Sequence, residues 1–227
     1  VLGGESIAVR ELERACIALA KRKEGASYAI PPREERVAII GAGAAGLACA
    51  LGMAQKKYKV TVFDRAEGWG GCLRHHPDFA VFDVDFKMQF APVEAEFRFG
   101  KEIKSLDELA DFSAVFIATG RGGDTFGLMD SWDRKLCSTS RPGVFLGGEA
   151  AGLTLIEGMA SGLLACRPIE AYLQTGRPEN AADNWDPSHA CRFIPHEGAP
   201  SESVKPAGER YTADEARSEA ARCMQCD

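Results

Sequence analysis

Apolar and polar positions along the chain alternate between helical and strand-like periods. From about Ser6 to Lys23 the apolar residues Ile7, Val9, Leu12, Ala15, Ile17 and Leu19 recur at helical spacing among charges, which predicts an amphipathic helix, followed by a linker from Gly25 to Pro32. Val37 to Ile40 is a short apolar run of the kind buried on both faces of a sheet. A small-residue helical stretch follows from Ala44 to about Lys56, and then a second apolar run, Val60 to Phe63. Residues His75 to Phe90 fit either a helix or a strand. Ala95 to Phe99 alternates like a half-buried strand, and Ser105 with Glu108 three residues on forms a capping box that opens a helical turn. Ala114 to Gly120 and Gly143 to Gly148 read as strands that end in small-residue turns. Thr154 to about Gln174 reads as a long apolar helix, expected to break or bend near Pro168. Residues from Gly176 to Gly208 are rich in Pro, Asn, Asp and Ser and read as extended surface structure. A last helix runs from Thr212, capped with Glu215, to Arg222.

The composition is that of an ordinary globular chain: 227 residues, 45% hydrophobic and 26% charged, with a net charge of -6. That size supports one domain with appendages. The mild acidity argues against nucleic acid or an anionic membrane surface as partner. No run is long and apolar enough to span a bilayer, and the first residues are not those of a signal peptide, so a cytoplasmic location is expected. The chain starts at Val1 rather than Met, as a processed or excerpted segment would. Eight cysteines are scattered through it with one tight pair, Cys223 and Cys226, which points to thiols or metal ligands rather than a disulfide scaffold.

The candidate chemistry centres on Val37-Ala-Ile-Ile-Gly-Ala-Gly-Ala-Ala-Gly46 followed by Val60-Thr-Val-Phe-Asp64, which is strand, glycine turn, helix, strand and terminal acid. This is the layout of a dinucleotide-binding βαβ unit. Gly41 permits the tight turn, Gly43 lets backbone approach a pyrophosphate, and Gly46 lets the helix pack close to the sheet. Ala44 and Ala45 begin a helix whose unpaired N–H groups face the phosphates. Asp64 stands where a carboxylate accepts hydrogen bonds from an adenosine ribose. The unit by itself leaves the choice between NAD and FAD open.

Two downstream motifs, Ala118-Thr-Gly120 and Gly147-Gly-Glu149, match a flavoprotein pattern. With them, residues from about Val9 to Gly176 resemble the two-dinucleotide-binding-domain flavoproteins, in particular the glutamate synthase small subunit and its dihydropyrimidine dehydrogenase relatives. The resemblance implies a Rossmann-like parallel-sheet, α/β FAD-binding domain over residues 36–176. An N-terminal helix and linker (1–35) would precede it, and an extended tail ending in a short helix (177–227) would follow. It assigns the FAD pyrophosphate to Gly41, Gly43 and Gly46, the ribose to Asp64 and the adenine surroundings to Arg65. Gly70, Gly71, Cys72 and Leu73 would pass the flavin side of the cofactor, and Ala118, Thr119 and Gly120 would pack near the adenosine half. Gly148 and Glu149 occupy the place of the family's Gly-Asp pair for the ribityl chain and phosphate, Glu being one methylene longer than Asp. Thr154 would start the helix beneath the isoalloxazine, whose positive end stabilises the anionic reduced ring.

A second difference from that family concerns NAD(P)H. Its members place a second Rossmann unit between the two downstream motifs, where here only the segment from Gly120 to Gly147 is available. A βαβ unit needs about thirty residues and a domain on the order of fifty or more. FAD without a nicotinamide site is therefore expected, with Gly122 and Gly123 a turn.

Electrons would then come from or go to another redox centre. Tyr211 to Cys226 resembles the segment leading into the family's iron–sulfur domains, where a helix delivers a Cys-x-x-Cys pair. Cys223 and Cys226 are read as ligands of a cluster completed by residues beyond this chain or by a partner, with a redox dithiol and no redox role as alternatives. Cys49 and Cys166 read as small core residues, and Cys72 as a thiol near the flavin. His75 and His76 read as surface or packing residues, and Trp69 as packing or a shield over a ring face. The expectation is an electron-transfer oxidoreductase subunit in a hetero-oligomeric redox complex with an iron–sulfur or other redox protein, and with no catalytic acid–base residue of its own. The rivals are a non-catalytic flavin-fold docking subunit and an NAD-dependent dehydrogenase.

Overall fold

A computed structural model describes residues 5–20, 24–179 and 202–222. By backbone contacts the chain divides into two compact units, one of residues 24–182 and a smaller one of residues 1–23 with 183–227. In chain order the elements are α1 (Val9–Leu19), β1 (Arg36–Ile40), α2 (Ala44–Gln55), β2 (Lys59–Phe63), α3 (Phe79–Phe90), β3 (Ala95–Arg98), β4 (Ala114–Ile117), β5 (Val144–Leu146), α4 (Leu155–Thr175) and α5 (Ala213–Ala220). Short 3₁₀ turns lie at Gly71–His75, Leu106–Leu109, Met129–Ser131 and Gly148–Ala151.

The larger unit is an α/β fold, Rossmann-like, on a five-stranded sheet in the order β3-β2-β1-β4-β5 with every pairing parallel. The apolar runs read from the sequence become its central strands. Val37, Ile39, Val62, Phe116 and Ile117 are fully buried because helices and loops cover both faces. β3, at the edge, keeps the alternation of half-buried and exposed residues. The segment left open between His75 and Phe90 forms α3, with Trp69 packed beside it. Trp69 stacks on Phe90 at 6.1 Å, meets Phe97 edge-on at 5.2 Å, and donates from Nε1 to Asp83 at 3.0 Å.

Helices α2 and α4 cross the sheet side by side, and small residues set how close they come. A Cβ on Gly162 would lie 2.1 Å from the Ala45 carbonyl oxygen, one on Gly52 would lie 2.6 Å from Cys166 Sγ, and one on Gly158 would lie 3.1 Å from Gly148 Cα. Cys49 and Cys166 are buried in this seam as free thiols, and the Cys166 thiol points at the Cys49 carbonyl at 3.6 Å. Burial pushes the Cys49 thiol well above its ordinary value, reinforced by the hydrogen bond and charge of Cys166. These two are packing residues.

Pro168 does not end α4, contrary to the expected break: the helix runs unbroken from Leu155 to Thr175. The ring is almost fully buried, and core packing around it holds the helix through the lost backbone hydrogen bond. Both ends are well specified. Thr154 and Glu157 form a reciprocal capping box, and Gly176 closes the helix in the left-handed region at φ 77°.

Between β4 and β5 the chain makes loops, the Met129–Ser131 turn and a single antiparallel bridge from Ser138 to Phe145, with no second sheet. Trp132 donates from Nε1 to the Leu146 carbonyl at 2.8 Å and pins this segment to β5. The capping box at Ser105 and Glu108 forms as read, on a 3₁₀ turn. The Lys101 ammonium, then the Lys104 and Ser105 amides, hold the Glu108 carboxyl at about 2.

In the smaller unit α1 packs on α5, and Thr212 caps α5 through the box with Glu215. Glu219, fully buried, accepts two bonds from Arg222 Nη1 at 2.7 and 2.8 Å, one from the Ala8 amide at 3.1 Å and one from the Val204 amide at 2.7 Å. Arg222 Nη2 donates to the Glu5 carbonyl at 2.8 Å. Burial alone would raise the Glu219 carboxyl, but the guanidinium and the two amides outweigh it and leave it below the ordinary range. Cys223 and Cys226 lie outside the described residues, as does most of the stretch read as extended tail. Among the described residues no helix is long and apolar enough to cross a membrane.

Two outcomes follow from these contacts. Gly162→Ala drives a methyl into the Ala45 carbonyl and is expected to cost about 1–3 kcal/mol in chemical denaturation. Glu219→Gln removes the buried carboxylate charge that faces Arg222 and two backbone amides, and is expected to destabilise the smaller unit by on the order of 3 kcal/mol. Because the folded carboxyl is depressed, the wild-type contribution is present above the unfolded carboxyl value and is lost as pH falls through the folded one. A pH series of thermal melts should show that loss in wild type and a flatter profile in the variant.

Candidate functional site

Strand order reverses between β1 and β4, and at that switch point a groove of about 510 Å³ opens at the carboxyl ends of the strands. The turn after β1 forms its floor. Gly41 has φ 108°, and a Cβ there would strike the Ala118 carbonyl oxygen at 2.2 Å, so the turn demands glycine. Gly46 sits behind it, where a Cβ would be 1.8 Å from the Gly41 carbonyl oxygen. Gly43 differs: a Cβ there would meet no protein atom within 4 Å, so its missing side chain leaves open space in the groove itself. Gly120, at φ 82°, is equally open on the opposite wall. Ala44 and Ala45 bring the first turn of α2 to the groove.

Asp64 occupies the tip of β2. Its Oδ2 accepts from the Ala42 amide at 2.6 Å and its Oδ1 from the Ala66 amide at 2.8 Å, so the carboxylate fixes the glycine turn as well as facing the groove. A side cleft of about 90 Å³ continues from Asp64 between Ile40, Phe63, Ile103 and Thr119. Arg65 lies at its mouth, with Nη1 3.9 Å from Glu102 Oε1.

The far end is built by three separate loops. Cys72 comes from the glycine-dense loop after β2, Arg121 from the turn after β4, and Glu149 from the turn after β5. Glu149 Oε2 accepts from Cys72 Sγ at 3.3 Å, and Oε1 lies 3.1 Å from Arg121 Nη2. Partial burial and then the Glu149 carboxylate push the Cys72 thiol up. Gly148, at φ 73°, approaches Ala45 closely, and its amide donates to Ser161 Oγ at 2.9 Å.

Most of the residues singled out from sequence converge here. Gly41, Gly43, Ala44, Ala45, Asp64 and Arg65 line the groove together with Gly71, Cys72, Ala118, Thr119, Gly120 and Glu149. Gly46, Gly70, Leu73, Gly148 and Thr154 do not line it. Gly46 and Gly148 set backbone spacing behind it, Leu73 is buried, Gly70 turns the loop at φ 108°, and Thr154 caps α4. His75 and His76 are exposed outside the groove, where the Asp78 amide donates to His76 Nδ1. Sequence reasoning missed Ala66, Arg121, Leu155 and Gly158, along with Lys101 and Ile103 in the side cleft. Arg121 directly follows the Ala118-Thr-Gly120 turn, a signal that was available. Lys101 and Ile103 come near only because β3 pairs with β2.

The architecture is that of a Rossmann-like α/β domain with a groove at its switch point. A family model for an NAD(P)-binding Rossmann-like domain matches residues 39–93, which contain the glycine turn, α2, β2 and α3. The putative oxidoreductase UacF of Escherichia coli is 32% identical over 115 residues, 44% of this chain and 16% of its own length. The NADPH-Fe(3+) oxidoreductase subunit beta of Geobacter sulfurreducens is 37% identical over 101 residues, 40% of this chain and 15% of its own. The NADPH glutamate synthase small chain of Escherichia coli is 33% identical over 109 residues, 39% of this chain and 22% of its own. The chain thus spans less than a quarter of the length of these relatives. Each match is local, covering 39–44% of this chain.

Asp64 gives a direct test of the site's construction. Asp64→Ala strips the partner from the Ala42 and Ala66 amides and is expected to cost about 1–3 kcal/mol, read as a lower melting temperature. Asp64→Asn, which keeps one acceptor oxygen, should fall between the variant and wild type.

Proposed function

We propose that this chain is the flavin-nucleotide-binding part of an electron-transfer oxidoreductase subunit. It would hold FAD and exchange electrons with an iron–sulfur or other redox partner in a hetero-oligomeric, cytoplasmic complex. One observation carries the reading: at the switch point the groove lacks side chains at Gly43 on its floor and Gly120 on its wall, between the ribose-competent Asp64 and the capped start of α4. A dinucleotide fits that space with adenosine toward Asp64 and the side cleft, pyrophosphate over Gly43 and the first turn of α2, and the second nucleotide toward Cys72, Glu149 and Leu155. FAD, when bound, supplies the reversible uptake of one or two electrons. The chain's own residues position it. Backbone N–H groups of α2 offset phosphate charge, and the N-terminal end of the 21-residue α4 favours negative charge at the ring end.

In this reading the connection between β4 and β5, loops with one 3₁₀ turn and a single antiparallel bridge, carries no nicotinamide domain. Cys223 and Cys226 are proposed as ligands of a cluster completed by residues beyond this chain or by a partner, with a redox dithiol as the alternative. A second reading has a pyridine dinucleotide in the same groove, and the match to an NAD(P)-binding model favours it.

Purified chain is expected to bind FAD and turn yellow, to be bleached by dithionite, and to remain yellow with NADPH alone. Rapid bleaching by NADPH, or release of NAD(P) instead of FAD on heat denaturation, would move the assignment to the second reading. Bound flavin that takes up no electrons from dithionite would indicate a docking subunit.

A further inference from the structure

Among the described residues four charged side chains line the groove: Asp64, Arg65, Arg121 and Glu149. Asp64 is engaged by two amides of the glycine turn and its flank, and Arg65 stands at the adenosine end beside Glu102. Arg121 and Glu149 remain, at the end of the groove away from Asp64, where the pyrophosphate of a dinucleotide would pass on toward its second nucleotide. A carboxylate there is an unfavourable neighbour for a pyrophosphate, because like charges at a few ångströms repel strongly in a partly dehydrated site. The Glu149 side chain is only 15% exposed and is fixed from two sides, by Cys72 Sγ at 3.3 Å and Arg121 Nη2 at 3.1 Å. The Arg121 side chain, by contrast, is 83% exposed, and a guanidinium has five N–H donors in a planar fork that suits phosphate oxygens.

We propose that Arg121 is a pyrophosphate-binding residue that holds Glu149 with one N–H and offers the others to the dinucleotide, so that the groove accepts the anion only while Arg121 offsets the Glu149 charge. This rests on the dinucleotide reading above and adds to it a residue that determines affinity. The predicted signature is non-additive. Removing Arg121 both deletes a phosphate contact and exposes the ligand to an uncompensated carboxylate. Removing Glu149 as well cancels the second effect.

The test is FAD titration by fluorescence quenching on the full chain and on Arg121→Gln, Glu149→Gln and the double variant, at low and high salt. Arg121→Gln is expected to raise the Kd about tenfold and to weaken its salt dependence. Adding Glu149→Gln should recover most of that loss. Arg121 lies on an exposed turn, and circular dichroism with the alkylation rate of Cys72 reports folding and the state of Glu149 independently of FAD. Alkylation should quicken when Glu149 is replaced, since after partial burial the carboxylate is the next cause that raises the thiol. Arg121→Gln that binds FAD like wild type, or a double variant as weak as Arg121→Gln, overturns the role of Arg121 and leaves the flavin reading standing. Wild type that fails to bind FAD overturns the flavin reading, and this inference with it.

Discussion

Backbone-to-backbone approach between the first glycine turn and the two helices over the sheet is the constraint on which the rest of the larger unit depends. Gly46 seats α2 against the Gly41 carbonyl, Gly162 seats α4 against the Ala45 carbonyl, and Gly158 seats the start of α4 against Gly148. At Gly46 and Gly162 a single Cβ would overlap backbone, which cannot rotate out of the way as a side chain can, and at Gly158 it would crowd Gly148 at 3.1 Å. The seam therefore fixes α2 and α4 relative to β1, β4 and β5. It brings the N-terminal ends of both long helices to one groove. Electrostatics at the site is a consequence of this packing.

Polar contacts then lock the loops that the seam brings together. Asp64 ties the tip of β2 to the turn after β1, while Glu149 links the turn after β5 to Cys72 and Arg121. Asp64 is a helpful acid, since its two oxygens satisfy amides and still face the groove. Glu149 is a costly one for an anionic ligand unless a cation accompanies it. That contrast between two carboxylates in one groove arises from their neighbours, and the charge of each taken alone does not reveal it.

Much of this was legible in the residues. The apolar runs of β1, β2, β4 and β5, the capping boxes at Ser105 and Thr212, and the glycine turn all depend on local chemistry, and each lies where its local pattern places it. Of the break or bend expected at Pro168, the break does not occur, because a local rule about helix interiors met a buried site where packing prevails. The stretch around α3 was ambiguous because its valines at positions 81 and 84 remain exposed, which blurs the apolar period. Arg121 escaped notice since a charged residue after a glycine turn ordinarily reads as solvated surface. The cleft residues Lys101 and Ile103 depend on strand pairing across a long separation in sequence.

Short-range chemistry, then, determined where strands, helices and caps begin and end, and marked the glycine turn with its acid as a nucleotide motif. Such features depend on φ and ψ, on hydrogen bonds within a turn, and on the spacing of apolar residues, all of which are written in neighbouring positions. Only the folded arrangement decided which glycines face open space and which face backbone, and that Cys72, Arg121 and Glu149 meet from three different loops. Those outcomes depend on distances between residues far apart in the chain, which sheet order and helix seating set together.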